Sequence, residues 1–245
     1  MCTVFFRLRH GERSPLLLGA VRDEFTDRAW KPPGRHWDAP HHGLVGGLDL
    51  AAGGTWLALD PNGPQVAVLV NGAEAAAPAP PGTRASRGLC PLRALTGTLP
   101  PRMPDLLAMG GFHLLVCGPA DACLWSWNRR ELTHRKVPPG DHVLTFHGLD
   151  DKGHDRAVGV LRALNDAPDI DPRPGAPPET AWKGWMELLG RGVPAERDPR
   201  SPLVDRTVSG RAHRSVSASL IALSTRHVRF DFTADPWNNE GWYEI

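Results

Sequence analysis

Short apolar runs rich in β-branched and aromatic residues, each closed by turn formers, recur along the chain. They cover Thr3–Arg9, Leu16–Val21, Thr55–Leu59, Val66–Val70, Phe112–Cys117, Ala122–Trp127, His142–Phe146, Val216–Leu223 and Val228–Phe232. Such runs predict β-strands. Helical spacing is rarer, and Gly88–Leu95, His154–Leu164 and Glu179–Leu189 are the segments compatible with one apolar face. In His154–Leu164 the apolar positions Ala157, Val160, Leu161 and Leu164 recur at three and four, and Asp155 sits where an acid favours a helix N-terminus. Many strands with a few intercalated helices predict an α+β fold, in which two antiparallel sheets stack face to face with helices outside. A simple β-sandwich would not need the helices. A doubly wound parallel sheet would need a strand-helix alternation that is missing before Gly88.

The first two runs read as a hairpin. His10-Gly11-Glu12-Arg13-Ser14-Pro15 supplies the turn, and the return strand carries Arg22-Asp23-Glu24 back to the start of the chain. The 25 prolines and 26 glycines are spread as punctuation between apolar segments. Ala73–Pro81 and Asp169–Pro178 read as mobile loops, but neither separates two cores, so the pattern predicts a single domain over residues 1–245. No repeat recurs at a fixed period.

Charge removes several function classes. With 28 Lys plus Arg against 27 Asp plus Glu, the net charge of +1 provides no field to draw the chain to nucleic acid or an anionic membrane. The longest apolar runs fall far short of the roughly 20 residues that cross a bilayer, and MCTVFFRLRH has no cleavable apolar segment. A cytoplasmic protein with reduced thiols is expected. Cys90 and Cys117 lie in apolar surroundings and read as small buried hydrophobes.

Cys2 differs by position. Removal of the initiator methionine before a small residue would give it both a thiol and a free α-amine, so that one residue carries nucleophile and base. With ordinary pKa values of about 8.5 and about 8, the pair could be tuned by Asp23 orienting the amine and Arg22 favouring the thiolate. Asn71 closes the run Val66–Val70, where a strand end can present its amide to an oxyanion.

These motifs, in this order, resemble the NRDE (Transport and Golgi organisation 2) family. The resemblance runs over Met1-Cys2-Thr3-Val4, Ala20–Phe25, Gly53-Gly54-Thr55-Trp56-Leu57, Val68–Asn71 and Ser86-Arg87-Gly88-Leu89. It continues through Gly111–Leu114, Pro139-Gly140-Asp141-His142 and Arg214-Ser215. It implies an N-terminal-nucleophile hydrolase-like αββα sandwich, with Cys2 as nucleophile, Arg22 and Asp23 as its tuning pair, Asn71 as oxyanion donor and Arg214 as a further site residue. Val21 replaces the family's first polar residue, and Asp151 stands where a second Asn is expected. A carboxylate at that place would repel an oxyanion. The resemblance also implies handling of haem, or of an amphipathic molecule such as an acyl-CoA, as cargo, with no cofactor required. Cys2, or a nearby His, would then be a candidate axial ligand, with Trp30 and Trp37 stacking on the flat ligand. Two functions therefore stand open: ligand handling beside Cys2, and hydrolysis of a small acyl amide by an N-terminal cysteine.

Other histidine groupings carry no comparable signal. His41-His42 lacks a third partner at ligand spacing, and the cluster of His142, His147 and His154 with Asp150, Asp151 and Asp155 reads as surface loop, so no metal is expected. Nine Trp against one Tyr are chiefly packing residues.

Overall fold

The computed structural model describes residues 2–76, 84–189, 197–238 and 240–245. Up to the middle of the chain the elements are β1 (Thr3–Leu8), β2 (Leu16–Phe25), β3 (Trp30–Gly34), β4 (Val45–Asp49), β5 (Leu57–Asp60), β6 (Gln65–Asn71), α1 (Cys90–Leu95) and α2 (Met103–Ala108). They continue with β7 (Phe112–Cys117), β8 (Ala122–Trp127), β9 (Leu132–Val137), β10 (Gly140–Thr145), β11 (Gly148–Leu149) and α3 (Asp155–Asp166). The last are α4 (Pro178–Trp182), α5 (Gly184–Glu187), β12 (Asp205–Val208), β13 (Arg211–Leu223), β14 (Val228–Thr233) and β15 (Tyr243–Glu244). They fall into two compact units, one running to Arg28 and resuming over Pro139–Ile245, the other being the intervening Ala29–Pro138. No change of composition marks either boundary, which is why the sequence reads as one domain.

The first unit is built on an antiparallel sheet of order β11-β10-β1-β2-β13-β14-β15, with β12 pairing β13. The expected hairpin has the register Thr3↔Val21 through Leu8↔Leu16. One face is apolar: Phe5, Leu17, Val21, Val143, Ala218 and Leu220 pack against Ala157, Val160 and Leu164 of α3 and against Trp182, Trp185 and Met186. Arg7 sets α3 in place. It is buried, is held by both oxygens of Asp141 at 2.8 Å, and donates to the carbonyls of Leu164, Ala167 and Pro168 at the end of the helix. Cations at a helix C-terminus satisfy its open carbonyls and its dipole.

Two expectations change here. Asp169–Pro178 is irregular but anchored, since Arg7 and Arg9 hold Asp169, Ser14 holds Asp171, and Arg229 donates to the carbonyls of Arg173 and Ala176. The continuous helix predicted over 179–189 breaks at Lys183, whose φ is +35°. Gly184 there abuts Pro168, where a Cβ would meet the ring at 3.0 Å, so the chain turns to seat both Trp182 and Trp185 in the core.

The second unit is an antiparallel sheet of order β3-β4-β5-β6-β7-β8-β9. Ala67, Leu69, Phe112, Leu114 and Trp127 of this sheet pack with Cys90 of α1 and Leu106 of α2. Its two edges explain why β3 and β9 escape prediction. β3 contains Pro32 and Pro33, tolerated on an edge that needs few donors, and β9 is polar and exposed along most of its length. The Gly-Gly-Thr-Trp and Ser-Arg-Gly-Leu motifs meet each other in this unit. The Thr55 amide donates to the Gly88 carbonyl at 2.8 Å, and a Cβ on Gly54 would lie 2.4 Å from the Gly88 carbonyl carbon. Those motifs are scaffold. Part of Ala73–Pro81 lies outside the described residues.

Candidate active site at Cys2

The open end of the β1-β2 hairpin brings Cys2 to Arg22 and Asp23. Thr3 pairs with Val21, so the residue before Thr3 lies beside the two that follow Val21. Cys2 is half-buried, whereas Arg22 and Asp23 are 4% and 5% exposed. Burial pushes the Cys2 thiol up, and the Asp23 carboxylate adds to this; the Asp23 backbone amide and the Arg22 guanidinium act the other way. A thiol so placed needs a base to become a nucleophile.

Asp23 is the most closely held member of the group. The Ser215 hydroxyl donates to its Oδ1 at 2.6 Å and accepts from the Val204 amide at 2.8 Å. Its Oδ2 lies 3.7 Å from Nη1 of Arg156, which projects from the first turn of α3. Burial raises the Asp23 carboxyl above the usual range, and Ser215 and Arg156 both oppose that rise. The register of β13 on β2 shifts between Ser215 and Ser217, placing Ser215 opposite Asp23 and Ser217 opposite Arg22. Bulges of this kind re-aim a side chain at the cost of one ladder step. Arg22 lies 3.8 Å from Glu24, which Arg28 also approaches at 3.7 Å.

The remaining expected residues have other settings. Arg214 pairs across the strands with Glu24, approaches Asp205 at 3.5 Å and lies 4.6 Å from the centre of the Trp237 ring. Asp151 accepts from the Gly153 amide at 2.9 Å in the turn that leads to α3, a local structural task. Asn71 ends β6 in the second unit, exposed and opposite Phe112. Trp30 packs edge-to-face on Trp56 at 5.8 Å, and Trp37 donates to the Gly53 carbonyl at 3.0 Å, so both are engaged within that unit.

Arg156 and Ser215 are contributors that residue-type reasoning passed over, although Ser215 lay within the Arg-Ser motif. A signal for Arg156 was present: it precedes Val160 and Leu164 by four and eight residues, on the buried stripe of its helix, where a charge needs a partner. His213 is also buried, edge-on to Phe25, and burial lowers its pKa to about 4.

The His/Asp cluster is structural. His142 bonds Asp150 at 2.7 Å, the Val143 amide donates to the same carboxylate, and His147 lies against His154 with ring centres 4.4 Å apart. Among the described residues no group of three His, Cys, Asp or Glu is arranged to hold a metal ion, and no helix is long and apolar enough to cross a membrane. Cys90 and Cys117 are buried, with burial raising the Cys90 thiol to about 11.

This α+β chain of antiparallel sheets with few helices has an N-terminal-nucleophile hydrolase-like fold. The solved Caenorhabditis elegans N-acylethanolamine-hydrolyzing acid amidase ortholog is similar in fold, with a TM-score of 0.50 over 100% of both chains at 11% sequence identity. Residues 1–169 match the model of the Transport and Golgi organisation 2 family, and the chain belongs to that family. No curated protein matches its sequence.

Proposed function

We propose that this chain is an N-terminal-cysteine amidohydrolase acting on a small acyl amide, with Cys2 as nucleophile once Met1 is removed. The observation that carries the reading is a half-buried thiol beside a buried aspartate that is fixed by a hydroxyl and a guanidinium. In the proposed cycle the Cys2 α-amine takes the thiol proton and the sulfur adds to the acyl carbonyl. The C–N bond then breaks as the amine returns the proton to the leaving group. Water hydrolyses the thioester, releasing the acid and restoring the thiol. Asp23 orients the amine, and the raised thiol makes that internal base necessary.

The test pairs intact-mass measurement with turnover. Purified protein lacking Met1 should release amine from an acyl ethanolamide, the amide class in the nematode neighbour's name. Cys2→Ala should abolish release. Retained Met1 in active protein, or equal release by Cys2→Ala, would overturn the reading. Haem handling, the other expectation, draws no support from Trp30 and Trp37, which pack within their own unit. A saturable change in haem absorbance that is lost in Cys2→Ala would support it instead.

A further inference from the structure

Asp23 is gripped from three directions. Arg156 reaches it from α3, Ser215 from the bulge in β13, and Cys2 lies beside it ahead of β1. Arg22 and Glu24 flank it on its own strand, the amino-terminal charge acts on it, and His213 lies two residues before Ser215. Arg156 lies far from Asp23 in sequence and is itself buried, so its guanidinium has left water to meet this carboxylate. A buried cation in that position is unfavourable unless it is paired. Ser215 is equally committed, because the Val204 amide donates to its hydroxyl and directs the hydroxyl proton onto Asp23.

We propose that Arg156 and Ser215 are positioning residues that hold Asp23 as a fixed carboxylate, and that the reactivity of Cys2 is set through them. The inference deepens the Cys2 reading and rests on it for its biological meaning. Arg156 opposes protonation of Asp23 by its charge, and Ser215 does so by a hydrogen bond that the ionised form accepts most strongly. The charge state of Asp23 then governs its neighbours, the thiol and the amino group.

The experiment follows the rate of Cys2 alkylation by iodoacetamide against pH in the full chain, read on the Cys2 peptide by mass so that Cys123 does not contribute. Asp23→Asn should move the midpoint by about one pH unit, the effect of one neighbouring charge. Arg156→Gln should move it in the same direction by at least half as much, and Arg156→Lys should return most of the shift. Adding Arg156→Gln to Asp23→Asn should produce no further movement, because Arg156 acts through Asp23. If Arg156→Gln fails to fold, Ser215→Ala takes its place with the same non-additivity. A uniform rate change at every pH, a shift that adds in full to that of Asp23→Asn, or an unmoved midpoint in Asp23→Asn would overturn the proposal. Turnover of amides is not read here, so a chain with no hydrolase activity can still show the coupling.

Discussion

Replacing Arg229 with Met should cost the first unit about 3–5 kcal/mol, the usual penalty for breaking a buried ion pair from one side. Arg229 and Asp231 are both fully buried, with Nε donating to Oδ2 and Nη2 to Oδ1 at 3.0 Å. The same guanidinium holds the carbonyls of Arg173 and Ala176, and Asp231 also accepts from the Trp182 indole at 2.7 Å. Met approximates the volume of the side chain but leaves the Asp231 charge buried with a single indole donor. For a chain of this size each kcal/mol corresponds to roughly 2–4 °C, so the melting temperature should fall by roughly 6–20 °C. Adding Asp231→Asn removes the stranded charge while keeping an acceptor for Trp182, and should recover about 1–2 kcal/mol. Urea unfolding followed by tryptophan fluorescence measures both, and hydrogen exchange should show faster opening over 169–182 in the single variant. A loss under 1 kcal/mol in Arg229→Met, or no recovery in the double variant, would refute the view that this pair pins the segment ahead of α4.

Three further outcomes follow from other parts of the molecule. Gly54→Ala should cost about 1–3 kcal/mol by overpacking, since the new methyl meets backbone at Gly88, and chemical denaturation will measure it. His213 should confer a pH dependence: its folded pKa of about 4 lies below the unfolded value of about 6.5, so the unfolded chain binds the proton first as pH falls. Stability should therefore be full above about pH 6.5 and decline by roughly 1–3 kcal/mol on the way to about pH 4, and His213→Gln should flatten that slope in a pH series of melts. Native alkylation should label Cys2 and Cys123, leaving the buried Cys90 and Cys117 protected until denaturant is added; peptide mass mapping distinguishes the four.

The strands that the sequence disclosed are those where packing and local preference agree. β1, β2, β6 and β7 are apolar, rich in β-branched, leucine or phenylalanine side chains, and buried along most of their length. β3 and β9 lie at sheet edges, where proline and charge are favoured, and an edge strand therefore resembles a loop. α2 is a six-residue helix that begins at Met103-Pro104, too short for its periodicity to register. The Cys2 environment was half legible. A hairpin register is local information, so Arg22 and Asp23 could be placed beside the chain start from the turn alone. Arg156 and Ser215 reach the same carboxylate through tertiary packing, and no spacing rule predicts a contact across such separations.

The family's motifs divide by what their residues touch. Gly54-Thr55 and Gly88 serve one another within the second unit, as close backbone approach demands glycine, while Arg87 donates to the Gly111 carbonyl. Pro139-Gly140-Asp141-His142 is likewise architectural, because Asp141 holds Arg7 and His142 is held by Asp150. Cys2, the Arg-Asp of β2 and Ser215 of β13 are different, for they gather around one buried carboxylate whose ionisation burial opposes. Structural needs alone would be met more simply by a neutral residue at position 23, since burial opposes the charge of a carboxylate there. Retaining that arrangement next to a half-buried thiol is the physical reason to look for chemistry at Cys2.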